Sequence, residues 1–352
     1  MNGSPKSIRV GDREIGPDSP PFIICELSGN HNGSLDRALA MIDAAADTGC
    51  DAIKLQTYTQ DTLTIDCDLP DFQIKGGLWD GRTLYDLYRE AHTPFEWHKP
   101  LFDRARERGV MIFSSPFDES SADLLEELDA PIYKIASFEI VDLPLIAHVA
   151  RKGKPMIMST GLAGLGEIER AVHTARENGC EDLILLHCIS SYPAPTDQAN
   201  IRTIPHLGEA FGVHCGLSDH THGTATSVAA IALGAVAIEK HFTLARADGG
   251  PDAAFSLEPD EFRRLTEDCR NAWISLGKVS YRVQPAEAQN VVFRRSLYVV
   301  KDIAAGEALT RANVRSIRPG YGLQPRFLPS VLGKHARQPI ARGTALAWEL
   351  FE

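Results

Sequence analysis

The chain has no surplus of positive charge. Its 352 residues carry 36 Lys and Arg against 47 Asp and Glu, a formal net charge of −11. A general nucleic-acid binder needs a basic face to neutralise phosphates, so that class is excluded, while a small anionic substrate needs only a local cluster of cations. The seven cysteines are odd in number and form no CxxC pair, which argues against a disulfide framework and a thiolate zinc site. The longest uncharged apolar stretch, 228–238, is too short to span a bilayer. The N-terminal MNGSPKSIRV has no apolar core of a signal peptide, so the expected location is the cytoplasm, with no membrane partner. A GxGxxG fingerprint, internal repeats and low-complexity tracts are also missing.

What is present is alternation. Eight near-continuous apolar runs (22–27, 52–56, 110–114, 132–137, 155–160, 183–188, 213–218 and 236–241) read as parallel strands covered on both sides. Between most of them lie amphipathic stretches of helix length: 35–48, 94–108, 119–128, 144–152, 167–178, 224–233 and, after the last run, 259–276. Glycines end several, including Gly49, Gly109 and Gly277. The pattern predicts an α/β fold, a (β/α)8 TIM barrel; the alternative, a doubly wound sheet, lacks its dinucleotide fingerprint here. Expected limits are a barrel over 1–277, a polar linker over 278–294 and a small, mostly β module over 295–352. The stretch 61–92 is too long for an ordinary βα loop and reads as a functional insertion.

Barrel chemistry sits at the C-terminal ends of the strands. Those ends carry Glu26; Lys54 and Gln56; Ser114 and Ser115; Lys134 and Ser137; Ser159 and Thr160; His187, with Ser190 and Tyr192 beyond; Ser218, Asp219 and His220; and Glu239, Lys240 and His241. The ammonium and hydroxyl groups, Lys54, Lys134, Lys240, Ser137, Ser159, Thr160 and Ser218, suit a phosphate or carboxylate. The loop STGLAGLGE (159–167) is either a capped Gly-rich turn or an anion site at a helix N-terminus. His220 and His241, on consecutive strand ends, are a metal candidate. Glu26 needs a cation, a substrate or a proton if buried; a structural salt bridge to Lys54 and a general acid/base role both stay open.

Seven segments, ELSGNHNGSLDRAL (26–39), KLQTY (54–58), FSSPFD (113–118), YKIAS (133–137), STG (159–161), GLSDHT (216–221) and EKHFTL (239–244), resemble the sialic-acid synthase family. The C-terminal RSLYVVKDIAAGE and SIRPGYGL resemble its antifreeze-like SAF domain. LWDGRTLYDLYREAHTPFEWH (78–98), ASFEIVDLPLI (136–146), DGGPDAAFSLEP (248–259) and RPGYGL (318–323) are most similar to the pseudaminic acid branch of that family. Ala253, Gly29 and Leu162 depart from the branch's usual Ser, Ala and Met.

The resemblance implies a transferase. It would condense phosphoenolpyruvate, water and 2,4-diacetamido-2,4,6-trideoxy-L-altropyranose, an N-acetylated amino sugar, releasing phosphate by C–O cleavage. N-acetylneuraminate and legionaminate synthases are the alternatives. It further implies Mn2+ or Mg2+ on His220 and His241, polarising the sugar aldehyde, and proton handling by Glu26. Lys54, Gln56, Ser115, Lys134, Ser137, Ser159, Ser190, Tyr192 and Ser218 would bind substrate, chiefly phosphoenolpyruvate, and Asp252 the sugar hydroxyls. Arg318 would reach the active site of the other subunit, making a domain-swapped homodimer. The aromatics Phe72, Trp79, Tyr85 and Phe95 either read the deoxygenated carbon or pack the insertion. A metal-dependent hydrolase would need a richer ligand set, and a non-catalytic carbohydrate-binding protein leaves eight polar strand ends without a role.

Overall fold

The computed structural model describes residues 5–352. The chain opens with an antiparallel hairpin, β1 (Ile8–Val10) and β2 (Arg13–Ile15). There follow β3 (Phe22–Glu26), α1 (Leu35–Asp47), β4 (Ala52–Thr57), α2 (Gln60–Leu63), α3 (Leu84–Ala91), α4 (Phe95–Glu107), β5 (Met111–Pro116) and α5 (Glu119–Glu127). Next come β6 (Tyr133–Ile135), α6 (Leu143–Ala150), β7 (Met156–Ser159), α7 (Leu165–Glu177), β8 (Leu183–Cys188), α8 (Thr203–Phe211), β9 (His214–Asp219), α9 (Ala225–Ala232), β10 (Ala237–His241) and α10 (Pro259–Leu276). Strands β3 to β10 close into a parallel barrel, with β10 pairing back onto β3 so that His241 stands opposite Glu26. The TIM-barrel expectation therefore holds.

Strand parity decides what enters the barrel, because successive side chains point to opposite faces. Phe22, Ile24, Ala52, Phe113, Ile157 and Ala237 share one apolar cluster with Ile8, Val10 and Ile15 of the hairpin, which packs into the lower interior. The intervening residues, such as Ile23, Cys25, Ile53 and Leu55, pack outward against the helices. Continued up each strand, the inner parity delivers Glu26, Lys54, Gln56, Ser115, Lys134, Ser159, Ser218, Glu239 and His241 to the mouth.

Caps fix several helix starts. Ser34 accepts from Arg37 N at α1, and Asp118 accepts from Ser120 N and Ser121 N at α5. The insertion has structure of its own: α2, a 3-10 turn at Pro70–Phe72, an antiparallel bridge between Gln73 and Thr83, and α3 capped by Thr83. Sequence reading did not assign the β1–β2 hairpin or α8.

The chain divides into two compact units, the first ending at Gly277 and the second spanning Lys278–Glu352. In the second, β11 (Ser296–Val299) pairs antiparallel with β12 (Val314–Ile317), and a short α11 (Leu328–Val331) follows. Isolated antiparallel bridges, such as Ile303 to Ile340 and Ala336 to Phe351, complete it around a small core of Leu297, Val299, Leu309 and Leu346. Among the described residues no helix is long and apolar enough to cross a membrane.

Candidate active site

A cavity of about 430 Å³ opens at the C-terminal ends of the barrel strands. Four buried ionisable side chains meet at its floor. Lys54 Nζ lies 2.5 Å from Glu26 Oε2 and 3.5 Å from Glu239 Oε1, and Lys134 Nζ lies 3.3 Å from Glu239 Oε2. Buried charges persist only when paired in this way. Burial pushes the Glu26 carboxyl above its ordinary value despite Lys54. Burial acts the same way on Glu239, but Lys134 and Lys54 outweigh it and hold that carboxylate low. For Lys54 burial is overcome by Glu239 and Glu26, so the ammonium is stabilised; for Lys134 burial prevails and its pKa falls.

Neutral groups complete the floor. Gln56 Nε2 and Ser28 N donate to Glu26 Oε1 at 3.0 and 3.1 Å. Lys54 Nζ donates to Ser115 Oγ at 3.2 Å, and Ser218 Oγ donates to Glu239 at 3.3 Å. Ser159 Oγ is buried without a hydrogen-bond partner. Gly161 N donates to Ser137 Oγ at 3.2 Å, and a Cβ at Gly161 would stand 2.2 Å from Ser190 Oγ. Only glycine therefore lets this loop close on the two serines. At the N-terminus of α7, Gly164 N donates to Glu167 Oε2 at 2.7 Å, the capped Gly-rich turn of the two readings. The floor and loop hydroxyls are left to hold an anion.

The two histidines stand above, ring centroids 5.2 Å apart. With His220 Nδ1 donating to Ile189 O at 3.0 Å, its Nε2 is left to accept, the usual orienting bond of a metal-binding imidazole. His241 Nδ1 is buried with no hydrogen-bond partner, 3.8 Å from Asp252 Oδ2. Burial, with His220 next, holds His241 well below its ordinary pKa and so neutral, the form that binds metals. Among the described residues no three His, Cys, Asp or Glu side chains gather as a metal site. The protein would thus supply two imidazoles, leaving other positions to water and substrate oxygens.

Tyr192 packs on this pair, 4.5 Å from the His220 ring and 5.3 Å from Phe255. Asp252 accepts from Ser28 Oγ, and burial raises its carboxyl to about 6. Asn30 fixes the Asp252 loop, accepting from Asp252 N and donating to Phe242 O and Ser256 Oγ.

Lys54, Gln56, Lys134, Ser137, Ser159, Tyr192, Ser218, His220, His241 and Asp252 all line the cavity. Glu26 and Ser115 support it from beneath, and Ser190 stands behind Gly161. Arg318 is exposed in the second unit, directly after β12. Lys240 and Thr160 are corrections. On the outer parity, Lys240 pairs with Asp219 at 2.9 Å and Thr221 O at 2.6 Å, and Thr160 bonds Leu186 O. Ala253 is buried and does not line the cavity. Of the four aromatics expected in the insertion region only Trp79 lines it; the wall is otherwise built by Leu63, Ile74, Leu84, Leu87 and Tyr88.

Glu139 was missed. It lines the cavity from the 3-10 turn Phe138–Val141, its Oε2 has no partner, and burial raises its carboxyl to about 7. A lone acid in the apolar segment ASFEIV was the available signal. Glu239 was seen only as a neighbour of His241, although shared parity put both inside.

Residues 41–281 match the NeuB family, and residues 294–352 match the SAF domain. The chain belongs to the NeuB family. It is 46% identical to the pseudaminic acid synthase of Campylobacter jejuni, covering 94% of this chain and 96% of that one. Against the pseudaminic acid synthase of Helicobacter pylori the identity is 44%, over 93% and 97% of the two chains. A crystal structure of N-acetylneuraminic acid synthetase from Leptospira borgpetersenii, in complex with citrate, superposes with a TM-score of 0.73 at 32% identity, covering 83% of this chain and 97% of that one.

Proposed function

We propose that this chain is a pseudaminic acid synthase. It condenses phosphoenolpyruvate with 2,4-diacetamido-2,4,6-trideoxy-L-altropyranose and water, giving pseudaminate and phosphate. The observation that carries the reading is the stacking of chemistry in one cavity: two buried ammonium groups at the floor, two imidazoles above them. The sugar assignment rests on likeness to the two pseudaminic acid synthases.

The chemistry follows from the floor upward. Lys54 and Lys134 offset the substrate's phosphate and carboxylate charges, and Ser137 and Ser159 bond its oxygens. Carbon 3 of the enolpyruvate attacks the open-chain aldehyde, forming the new C–C bond. Carbon 2 then carries positive character and takes water, and its C–O bond to phosphate breaks. Glu26, held by Lys54 and Gln56, accepts a proton of that water and returns it to the alkoxide left by the aldehyde, while the second proton departs with the phosphate as carbon 2 becomes the ketone. His220 and His241 would hold Mn2+ or Mg2+, which when bound supplies Lewis-acid polarisation of the aldehyde oxygen. Tyr192 and Asp252 orient the sugar. Phosphoenolpyruvate is an intracellular metabolite, which supports a cytoplasmic location.

We further read Arg318 as completing the sugar site of a second copy, in a domain-swapped homodimer. Mixing Glu26→Gln with Arg318→Ala chains should then restore activity in hybrids. Inactive hybrids would refute the shared site.

The direct test is phosphate release from phosphoenolpyruvate with Mn2+. Release with the trideoxy sugar, lost with chelator and restored by metal, is the expected result. Release only with N-acetylmannosamine would overturn the sugar, and release with neither would overturn the reaction.

A further inference from the structure

We infer that the insertion between β4 and α4 reads the end of the sugar farthest from the reacting carbon. It does so with an aliphatic wall that selects a methyl over a hydroxymethyl group at carbon 6. The inference rests on the synthase reading above.

The cavity is chemically divided. Its floor and inner wall come from barrel strands and carry Lys54, Lys134, Ser159, His220 and His241. Its opposite wall comes from the insertion, where Leu63, Ile74, Leu84 and Leu87 present no hydrogen-bonding group and Tyr88 contributes the one hydroxyl. The reacting aldehyde must meet the enolpyruvate over the lysines and beside the histidines. An extended six-carbon chain with carbon 1 held there directs carbon 6 away from the strands, toward the insertion.

The wall is anchored. Trp79 Nε1 donates to Pro251 O at 3.0 Å, beside Asp252, so the indole has no donor left for substrate. The Trp79 ring lies 5.7 Å from Tyr192. At the other end of the insertion, Ala91 presses against the backbone of Gly29, where an added Cβ would lie 3.0 Å away. The wall is thus held at Trp79 and at Ala91. A hydroxyl against the four aliphatic side chains loses its water and gains no partner. Apolar pockets discriminate such pairs by roughly 10–200-fold.

The experiment compares two sugars that differ only by the carbon 6 oxygen: the trideoxy sugar and its 6-hydroxy counterpart. Phosphate release by the full chain with metal gives kcat/KM for each. The unaltered chain should prefer the deoxy sugar by roughly 10–200-fold. Ile74→Thr and Leu84→Ser should each lower that ratio by about tenfold, while Ile74→Val keeps it. A purely structural defect would depress both sugars together and leave the ratio unmoved. A ratio near one in the unaltered chain overturns the inference, as does a preference that survives both polar variants. In either case turnover itself leaves the synthase reading standing. Release with neither sugar defeats that reading, and this inference with it.

Discussion

Lys134 and Glu239 form a buried ion pair at 3.3 Å on the floor of the barrel. Glu239 also reaches Lys54, at 3.5 Å, and Lys54 holds Glu26. Two carboxylates thus balance two ammonium groups before any substrate enters. On the proposed reading, an arriving anion would compete with Glu239 for both lysines.

Glu239→Gln should therefore separate stability from affinity. Removing one partner of a buried pair costs about 3–5 kcal/mol, so the free protein should unfold at lower temperature. Phosphoenolpyruvate should then stabilise the variant by a larger increment than it stabilises the unaltered chain. Thermal unfolding with and without the ligand reads both effects. Equal increments would show that Glu239 does not compete for the lysines.

Glu26→Gln keeps the shape and removes the proposed proton acceptor. Lys54 retains Glu239, so the fold should persist. The expected loss is about 10²–10⁴-fold in kcat, with KM for phosphoenolpyruvate changing far less. A variant within tenfold of normal turnover would assign Glu26 to structure alone.

Gly29→Ala should strain the contact between the β3–α1 loop and α3. Its Cβ would stand 3.0 Å from the Cα, Cβ and O of Ala91. Overpacking of this kind costs about 1–3 kcal/mol. Ala91→Gly in the same chain should recover part of the loss. Denaturant titration of both single variants and the double variant measures the coupling, and additive losses would refute the contact.

Glu139 should leave a signature in stability against pH. Burial raises its carboxyl from 4.5 to about 7 in the folded chain. A raised acid binds its proton more tightly when folded, so the burial penalty is absent below about 4.5. It grows across the window and is complete above about 7. Glu139→Gln should thus gain stability over the unaltered chain as pH rises from 5 to 8. A melting-temperature difference that stays flat over that range would count against the buried carboxyl.

The strands of the barrel were legible because parallel strands buried on both faces leave unbroken apolar runs. The β1–β2 hairpin was not, since two three-residue strands are too short to show a period. Helix α8 was hidden by Pro205 and Gly208, which read as breakers although its Ile204 and Leu207 are buried. Strand-end residues were legible as a set, but Lys240 was misplaced because facing depends on parity, not proximity. Of the floor network only the Glu26–Lys54 pair was legible as a possibility. The network exists only because barrel closure sets Glu26 between His241 and Lys54 in register. Which insertion side chains face the cavity was illegible for a related reason. A segment without periodicity does not announce which side chains turn inward, and there they are mostly aliphatic.

The hairpin packs Ile8, Val10 and Ile15 into the lower barrel, opposite the mouth where the cavity opens. On the proposed reaction, reactants and products would pass through that mouth. The lysines sit deepest, so the anion has to be seated before the sugar covers it. Phosphate, freed at the same depth, leaves only after the nine-carbon acid has cleared the opening. Turnover on this reading would follow a queue in which the first molecule to enter gives rise to the last to depart.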